Sequence, residues 1–136
     1  MKRVYLDTNV CLDFLTERKP DFFFAEQIMA LGDTSKIKLF VSSLSFTTII
    51  YVAIKQMQRD KVVRLIKDFL EMICIVEADE NLIKESLDSG WKDLEDAMQN
   101  ESALRCKADI LVTSNVRDYS KSGISIQTPE DFINNY

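Results

Sequence analysis

The residues of this chain that could do chemistry are carboxylates. Four of them, Asp7, Asp93, Asp96 and Asp118, fall at places where regular structure should begin or end. Asp7 closes a short apolar run, and Asp118 lies shortly after another. Asp93 and Asp96 are three residues apart at the start of a helix-like segment, so they share a face, with Asn100 on the same stripe. Glu95 is about 100° round that helix from Asp96 and should point elsewhere. There is no histidine in the 136 residues. That removes Ser-His-Asp and Cys-His triads, HExxH zinc sites and histidine proton shuttles. Carboxylates gathered at one place repel one another unless a cation is present. Hard oxygen donors without histidine or cysteine select Mg²⁺ or Mn²⁺. An ion held this way can activate water and neutralise charge on a phosphodiester.

The elements that must position these groups can be read from apolar patterning. Strands are expected at Arg3–Leu6, Ile37–Val41, Ile73–Val76, Ile110–Thr113 and Ile124–Ile126. Helices are expected at Val10–Leu15, Asp21–Leu31 (stopping at Gly32 as a C-cap), Ser43–Met57, Arg59–Leu70, Asn81–Leu87 and Asp93–Cys106. A last helix should open at Thr128, with Pro129 in its first turn. Buried-type strands alternating with helices imply an α/β protein: a parallel sheet of four to five strands in a three-layer α/β/α sandwich. In such sheets ligands bind beyond the carboxyl ends of the strands, at the switch in strand order. The segments placed there are Asp7-Thr8-Asn9 and Thr113-Ser114-Asn115. Neither is glycine-rich, so a phosphate-cradling nucleotide loop is not supported.

Composition narrows the class further. A length of 136 residues suits one domain spanning 1–136. No apolar run approaches the roughly 18 residues of a membrane helix, and the N-terminus does not read as a signal peptide, so the cytoplasm is the expected location. Cys11, Cys74 and Cys106 are odd in number and sit among apolar neighbours, as small core residues do. The net charge of −5 is uneven. Glu77–Glu101 carries nine acids and two lysines, whereas Lys36–Lys67 carries seven bases and one acid. Lys55–Lys67 could therefore meet RNA phosphates, or be a solvated helix face. Trp91, just before the Asp93–Asp96 helix, is either a loop anchor or a platform for a base. Phe22-Phe23-Phe24 cannot all face one core from a single helix, which points to a protein contact or to burial by neighbouring helices. Ser43–Met57 is apolar nearly all round, so it is either central or at a dimer interface.

Three segments together resemble the PIN-domain family: the strand closing in Asp7-Thr8-Asn9, the run Asp93-Leu94-Glu95-Asp96-Ala97, and Ile110-Leu111-Val112-Thr113-Ser114-Asn115-Val116-Arg117-Asp118-Tyr119. The resemblance covers essentially the whole chain and extends to the Thr128-Pro129-Glu130-Asp131-Phe132 tail. It implies a parallel five-stranded sheet in the order 3-2-1-4-5 and a Mg²⁺- or Mn²⁺-dependent ribonuclease, frequently the VapC-type toxin of a toxin–antitoxin pair and often a homodimer. Carried over by position, Asp7 would be a metal ligand, oriented by a hydrogen bond from Asn9. Asp96 would be the acid that opens the motif helix, with Asp93 assisting. Thr113 and Asn115 would match the motif after the fourth strand, with Asp118 nearby, and Thr8 would support. Two departures stand out. The family's usual Ser-x-x-x-x-Glu helix is here Ser43-Leu44-Ser45-Phe46-Thr47-Thr48, with Thr47 or Thr48 at the place of the acid. Asn115 stands where many members have aspartate. The alternative these departures favour is a catalytically degenerate PIN domain that binds RNA or protein. A receiver-like signalling module would need an aspartate after the third strand and a lysine after the fifth. Val76 is instead followed by Glu77-Ala78-Asp79, and no lysine follows Ile126.

Overall fold

A computed structural model describes residues 1–136. Five strands, β1 (Lys2–Leu6), β2 (Ile37–Ser42), β3 (Cys74–Val76), β4 (Ile110–Val112) and β5 (Ser125–Gln127), form one sheet in the order β3-β2-β1-β4-β5. Every pairing is parallel. Seven helices connect and follow them: α1 (Thr8–Leu15), α2 (Phe22–Asp33), α3 (Ser45–Ile54), α4 (Arg59–Met72), α5 (Glu80–Leu87), α6 (Leu94–Arg105) and α7 (Pro129–Asn134). A 3-10 turn over Val116–Tyr119 lies between β4 and β5. This is the order and orientation that the sequence resemblance implied. No helix is long and apolar enough to cross a membrane.

The sheet is apolar on both faces because alternate side chains of each strand point opposite ways. Val4 and Leu6, Leu39 and Val41, and Ile110 and Val112 face one way, against α1, α2, Ile49 of α3, Phe69 of α4 and Phe132 of α7. Tyr5, Phe40 and Leu111 face the other way, with Val76, against Ala103 of α6, Cys106 and Tyr119. Cys11 and Cys106 are buried in these layers and Cys74 is half-buried, with no disulfide among them. The chain winds outward from β1 through β2 to β3, then returns to lay β4 on the opposite side of β1. The carboxyl ends of β1 and β4 therefore flank the switch in winding direction, where a crevice opens.

Capping chemistry sets most helix starts. The side chains of Asp7, Asp79, Asp93 and Thr128 each accept a backbone N–H in the first turn of α1, α5, α6 and α7. Most boundaries shift from the expected ones by a residue or two, and the shifts in three helices bear on packing. α1 begins at Thr8 rather than Val10, because Asp7 caps it directly. α3 ends at Ile54 rather than Met57. α2 runs past Gly32 to Asp33, and the left-handed residue beyond it is Ser35, with φ 59°. Gly32 is thus inside the helix, and its role is packing: a Cβ there would run into the buried Leu39 side chain of β2. α3 is not central either, since Ile50, Tyr51 and Ile54 are exposed on it.

Gly32→Ala is expected to lower stability by roughly 1–2 kcal/mol, the overpacking against Leu39 outweighing the usual helical gain of alanine. Equilibrium urea unfolding measures it; a variant at least as stable as the parent would contradict the packing assignment.

Candidate active site

Asp7 occupies the seam between the central strands. Its backbone N–H donates to Val112 O of β4 at 3.0 Å, so the residue continues the ladder one step past Leu6. Its carboxylate is buried, at 8% exposure. Oδ1 accepts Thr8 N–H at 2.7 Å and Oδ2 accepts the Thr113 hydroxyl at 2.8 Å. Burial pushes this carboxyl above the ordinary aspartate range, and the Thr113 and Thr8 hydrogen bonds pull part of the way back. The orienting contact thus comes from Thr113 and the Thr8 amide, not from Asn9, whose backbone carbonyl instead accepts from Arg18 at 3.2 Å. The Thr113 hydroxyl also accepts Asn115 N–H at 3.0 Å, which fixes its proton toward Asp7.

Asp96, in the first turn of α6, is the hub of the acidic groups. Its carboxyl is pushed up to about 6, first by desolvation and then by the charges of Asp93, Asp118, Asp7 and Glu95. Two cavities meet at it. The inner one, of about 310 Å³, is lined by Asp7, Thr8, Asn9, Asp96 and Asn115, together with Thr48, Glu95 and Gln99. The outer one, of about 470 Å³, holds Asp93, Asp96 and Asp118. The predicted residues therefore assemble in two groups sharing Asp96. Asp93 and Asp118 are not beside Asp7 in the inner cavity, and Asp93 Oδ1 is occupied in capping α6, accepting Asp96 N–H at 3.0 Å. Glu95, expected to point away, lines the inner cavity. The open wall of the crevice extends round the N-terminal turn of α6 and takes in both of its first acids. Of the two threonines at the place of the family's acid, Thr48 is the one that lines this cavity.

The floor of the inner cavity is polar and closed, and spacing alone gave no sign of it. Gln99, one turn beyond Asp96, is buried. The Tyr5 hydroxyl donates to its Oε1, and its Nε2 donates to Thr8 Oγ1 and Ser45 Oγ, each at 3.3 Å. Thr8 and Ser45 hydroxyls bond one another at 2.7 Å. This network ties β1, α1, α3 and α6 together beneath the acids. Tyr119 is a further residue that the sequence did not single out. Its hydroxyl is buried without a hydrogen-bond partner and lies within the field of Asp7 and Asp96, whose charges join burial in raising it. Its place directly after Asp118 gives no sign in the sequence of its inward turn.

None of the basic residues from Lys55 to Lys67 lines either cavity. Lys61 borders a groove among α1, α2 and α4, while Arg59 and Lys67 border one between α3 and α4. Of the two readings of this stretch, the geometry favours the solvated helix face, away from the acidic pocket.

No three acidic side chains converge closely enough to hold a metal ion by themselves. The donors still suit Mg²⁺ or Mn²⁺. Such ions commonly take only one or two protein carboxylates, completing the shell with neutral oxygens, waters and substrate phosphate. Asp7 and Asp96 provide two carboxylates, and Asn9, Thr48 and Asn115 bring neutral oxygens to the same cavity. Two acids held above their ordinary range mark uncompensated negative charge, which a cation relieves.

Comparison with known proteins agrees with this architecture. The sequence profile of the PIN domain matches residues 3–117. Ribonuclease VapC1 of Aquifex aeolicus is 27% identical over 138 aligned positions, covering 96% of this chain and 93% of that protein. Among solved structures, the fold matches DNA-bound VapBC from Salmonella typhimurium with a TM-score of 0.69 at 20% identity, covering 95% of this chain and 99% of that one. A toxin–antitoxin complex from Klebsiella pneumoniae gives 0.68 at 22% identity, covering 93% and 97%. VapBC-1 of nontypeable Haemophilus influenzae gives 0.69 at 18%, covering 94% and 98%.

The raised Asp96 carboxyl has a consequence for stability. Its folded value, about 6, exceeds the ordinary 3.8. The folded state therefore holds the proton more tightly, and the stability so gained is full below about pH 4 and lost as pH rises through 6. In chelator, Asp96→Asn should be more stable than the parent at pH 7, on the order of 1 kcal/mol after solvent screening of this partly exposed group. The difference should shrink toward pH 4. Melting curves across that range test it, and a pH-independent difference would count against the assignment.

Proposed function

The chain belongs to the PIN-domain family, and from that premise we propose that it is a Mg²⁺- or Mn²⁺-dependent endoribonuclease, the toxin of a toxin–antitoxin pair. The observation that carries this reading is the pair of carboxylates Asp7 and Asp96, facing one cavity at the switch point and both held above the ordinary aspartate range. The 27% identity to ribonuclease VapC1 over nearly the whole chain supports the ribonuclease reading. The likeness to structures described as VapBC and as a toxin–antitoxin complex supports a protein partner. A cytoplasmic location suits an RNA substrate and such a partner.

Each residue takes a role that its surroundings suit. Asp7 and Asp96 would hold the cation, with Asn115 or Thr48 contributing a neutral oxygen. When bound, the divalent ion supplies Lewis acidity toward the phosphodiester and lowers the pKa of a water ligand. Thr113 and the Thr8 amide fix the rotamer of Asp7, so that no ordering is left to the moment of reaction. The Gln99 network excludes water from below and holds α6 at a constant height over β1. Asp93 and Asp118 stand on the outer side of Asp96, where their charge would favour a cation at it. Glu95, on the cavity wall, is the remaining carboxylate able to accept a proton from an attacking water.

Thr48 and Asn115 are the observations that favour the second reading, a PIN domain that binds RNA without cutting it, since each replaces a charge common in the family. Cleavage of a mixed RNA pool with Mn²⁺ or Mg²⁺, beside Asp7→Asn, separates the two. The nuclease reading expects metal-dependent cleavage, reduced at least a hundredfold in Asp7→Asn. Absence of cleavage by the folded parent would favour the binding module. Thr48→Glu restores an acid to the inner cavity and should tighten Mn²⁺ binding about tenfold by calorimetry, because affinity at such sites follows the ligand charge count.

A further inference from the structure

The outer cavity has contents that the acid cluster does not explain. Beside its carboxylates it is lined by Trp91, Lys92, Arg117 and Lys121. Of the two cavities that meet at Asp96, only the outer one has basic residues in its lining; Arg18, paired with Asp13, and Lys19 border a separate recess beside Asn9 and Asn115. The three cations of the outer cavity come from two separate stretches, the approach to α6 and the connection from β4 to β5, and converge on one recess. All three are exposed. The four ion pairs of the molecule, Arg18–Asp13, Arg59–Asp60, Lys84–Glu80 and Arg105–Asp79, use none of them. They stay unpaired although Asp93, Asp96 and Asp118 share their cavity.

Trp91 is held in place rather than trailing. Gly90 has φ +76°, a conformation that L side chains rarely adopt, and it turns the chain at the mouth of the recess. Trp91 N–H donates to Ser89 Oγ at 3.2 Å, and that hydroxyl donates to Ser86 O of α5 at 2.6 Å. The indole meets the buried Tyr119 ring at 66°, with centroids 6.0 Å apart. The indole packs against the second core layer yet is only half-buried, and it lines the recess.

We propose that this recess seats the nucleotide flanking the scissile phosphate of single-stranded RNA, with Lys92, Arg117 and Lys121 on its phosphate and Trp91 stacked on its base. The assignment rests on the nuclease reading of the neighbouring centre and gives its substrate a direction and a strandedness. The three acids in the recess are the hub Asp96 and its two neighbours. A divalent cation on Asp7 and Asp96 would take up the charge of those two, leaving three basic groups in the recess against two carboxylates, Asp93 and Asp118. An aromatic ring inside a recess can reach a base only when that base is unpaired, so a duplex does not fit. Stacking accepts any base, so the recess contributes affinity and orientation more than sequence preference.

Binding is measured on the Asp7→Asn protein in Mg²⁺, with a single-stranded RNA hexamer of mixed sequence. Trp91 is the chain's one tryptophan, so its emission reports the recess directly. The hexamer should quench it. Inorganic tripolyphosphate should compete with the hexamer without quenching. Trp91→Ala should weaken binding roughly tenfold, and Trp91→Phe should recover most of that loss. Neutralising Lys92, Arg117 and Lys121 together should make the salt dependence of log K shallower by roughly 1–2. Neutralising Lys61 and Arg64 of α4 should change neither quantity. The proposal falls if the hexamer does not bind, if it binds with Trp91 emission unmoved, or if the triple variant binds as the parent does. These outcomes are independent of cleavage: a parent protein that binds as described but does not cut keeps the recess and loses only the nuclease reading.

Discussion

A carboxylate taken out of water has to be held, and Asp7 is where that requirement falls in this protein. It ends the central strand, caps the helix that follows, and sits buried between two parallel strands whose ends diverge. Burial there disfavours its charged form. The Thr113 hydroxyl and the Thr8 amide offset part of that cost, and the charge of Asp118 adds to it. The surrounding elements are arranged about that tension. β4 supplies the hydroxyl, α6 supplies Asp96 and Gln99, and α3 supplies Ser45 and Thr48. The result is a crevice poor in compensation, suited to receive positive charge from solution rather than from a lysine of its own.

Most of the architecture was legible in the sequence because it follows from one repeated pattern. Short β-branched runs apolar at every position can only be strands covered on both faces, and helices between them force parallel pairing. The resemblance gave strand order, which patterning alone does not. Local capping chemistry was legible at Thr128 but misread at Gly32. A glycine near a helix end looks the same whether it is needed for a left-handed turn or for close packing, and only Leu39, distant in sequence, decides between them.

The candidate centre was legible in its acids and illegible in its polar supports. Asp7 and Asp96 stand out because a carboxylate at an apolar boundary needs a reason. Gln99, Ser45 and Tyr119 do not, since a neutral polar residue on a helix is ordinary until its partners are known. Asn9 was given an orienting role through resemblance, whereas the short path to Asp7 runs through its immediate neighbour's amide and a hydroxyl from another strand. Glu95 was set aside by helical angle. That reasoning holds in mid-helix, and it fails at a first turn, where the crevice extends round the end of the cylinder.

The double engagement of the Thr113 hydroxyl reaches beyond the chemistry of the centre. It receives a proton from Asn115 N–H and gives its own to Asp7, across the β1–β4 pairing in which Leu6 lies beside Val112. Sliding β4 by one residue would exchange the two faces of the strand and also put Val112 or Ser114 in the place of Thr113 beside a buried carboxylate. The same contact that orients Asp7 is therefore a registration mark for the centre of the sheet. A chain that has paired these strands wrongly cannot have assembled the crevice, so correct folding and a complete site arrive together.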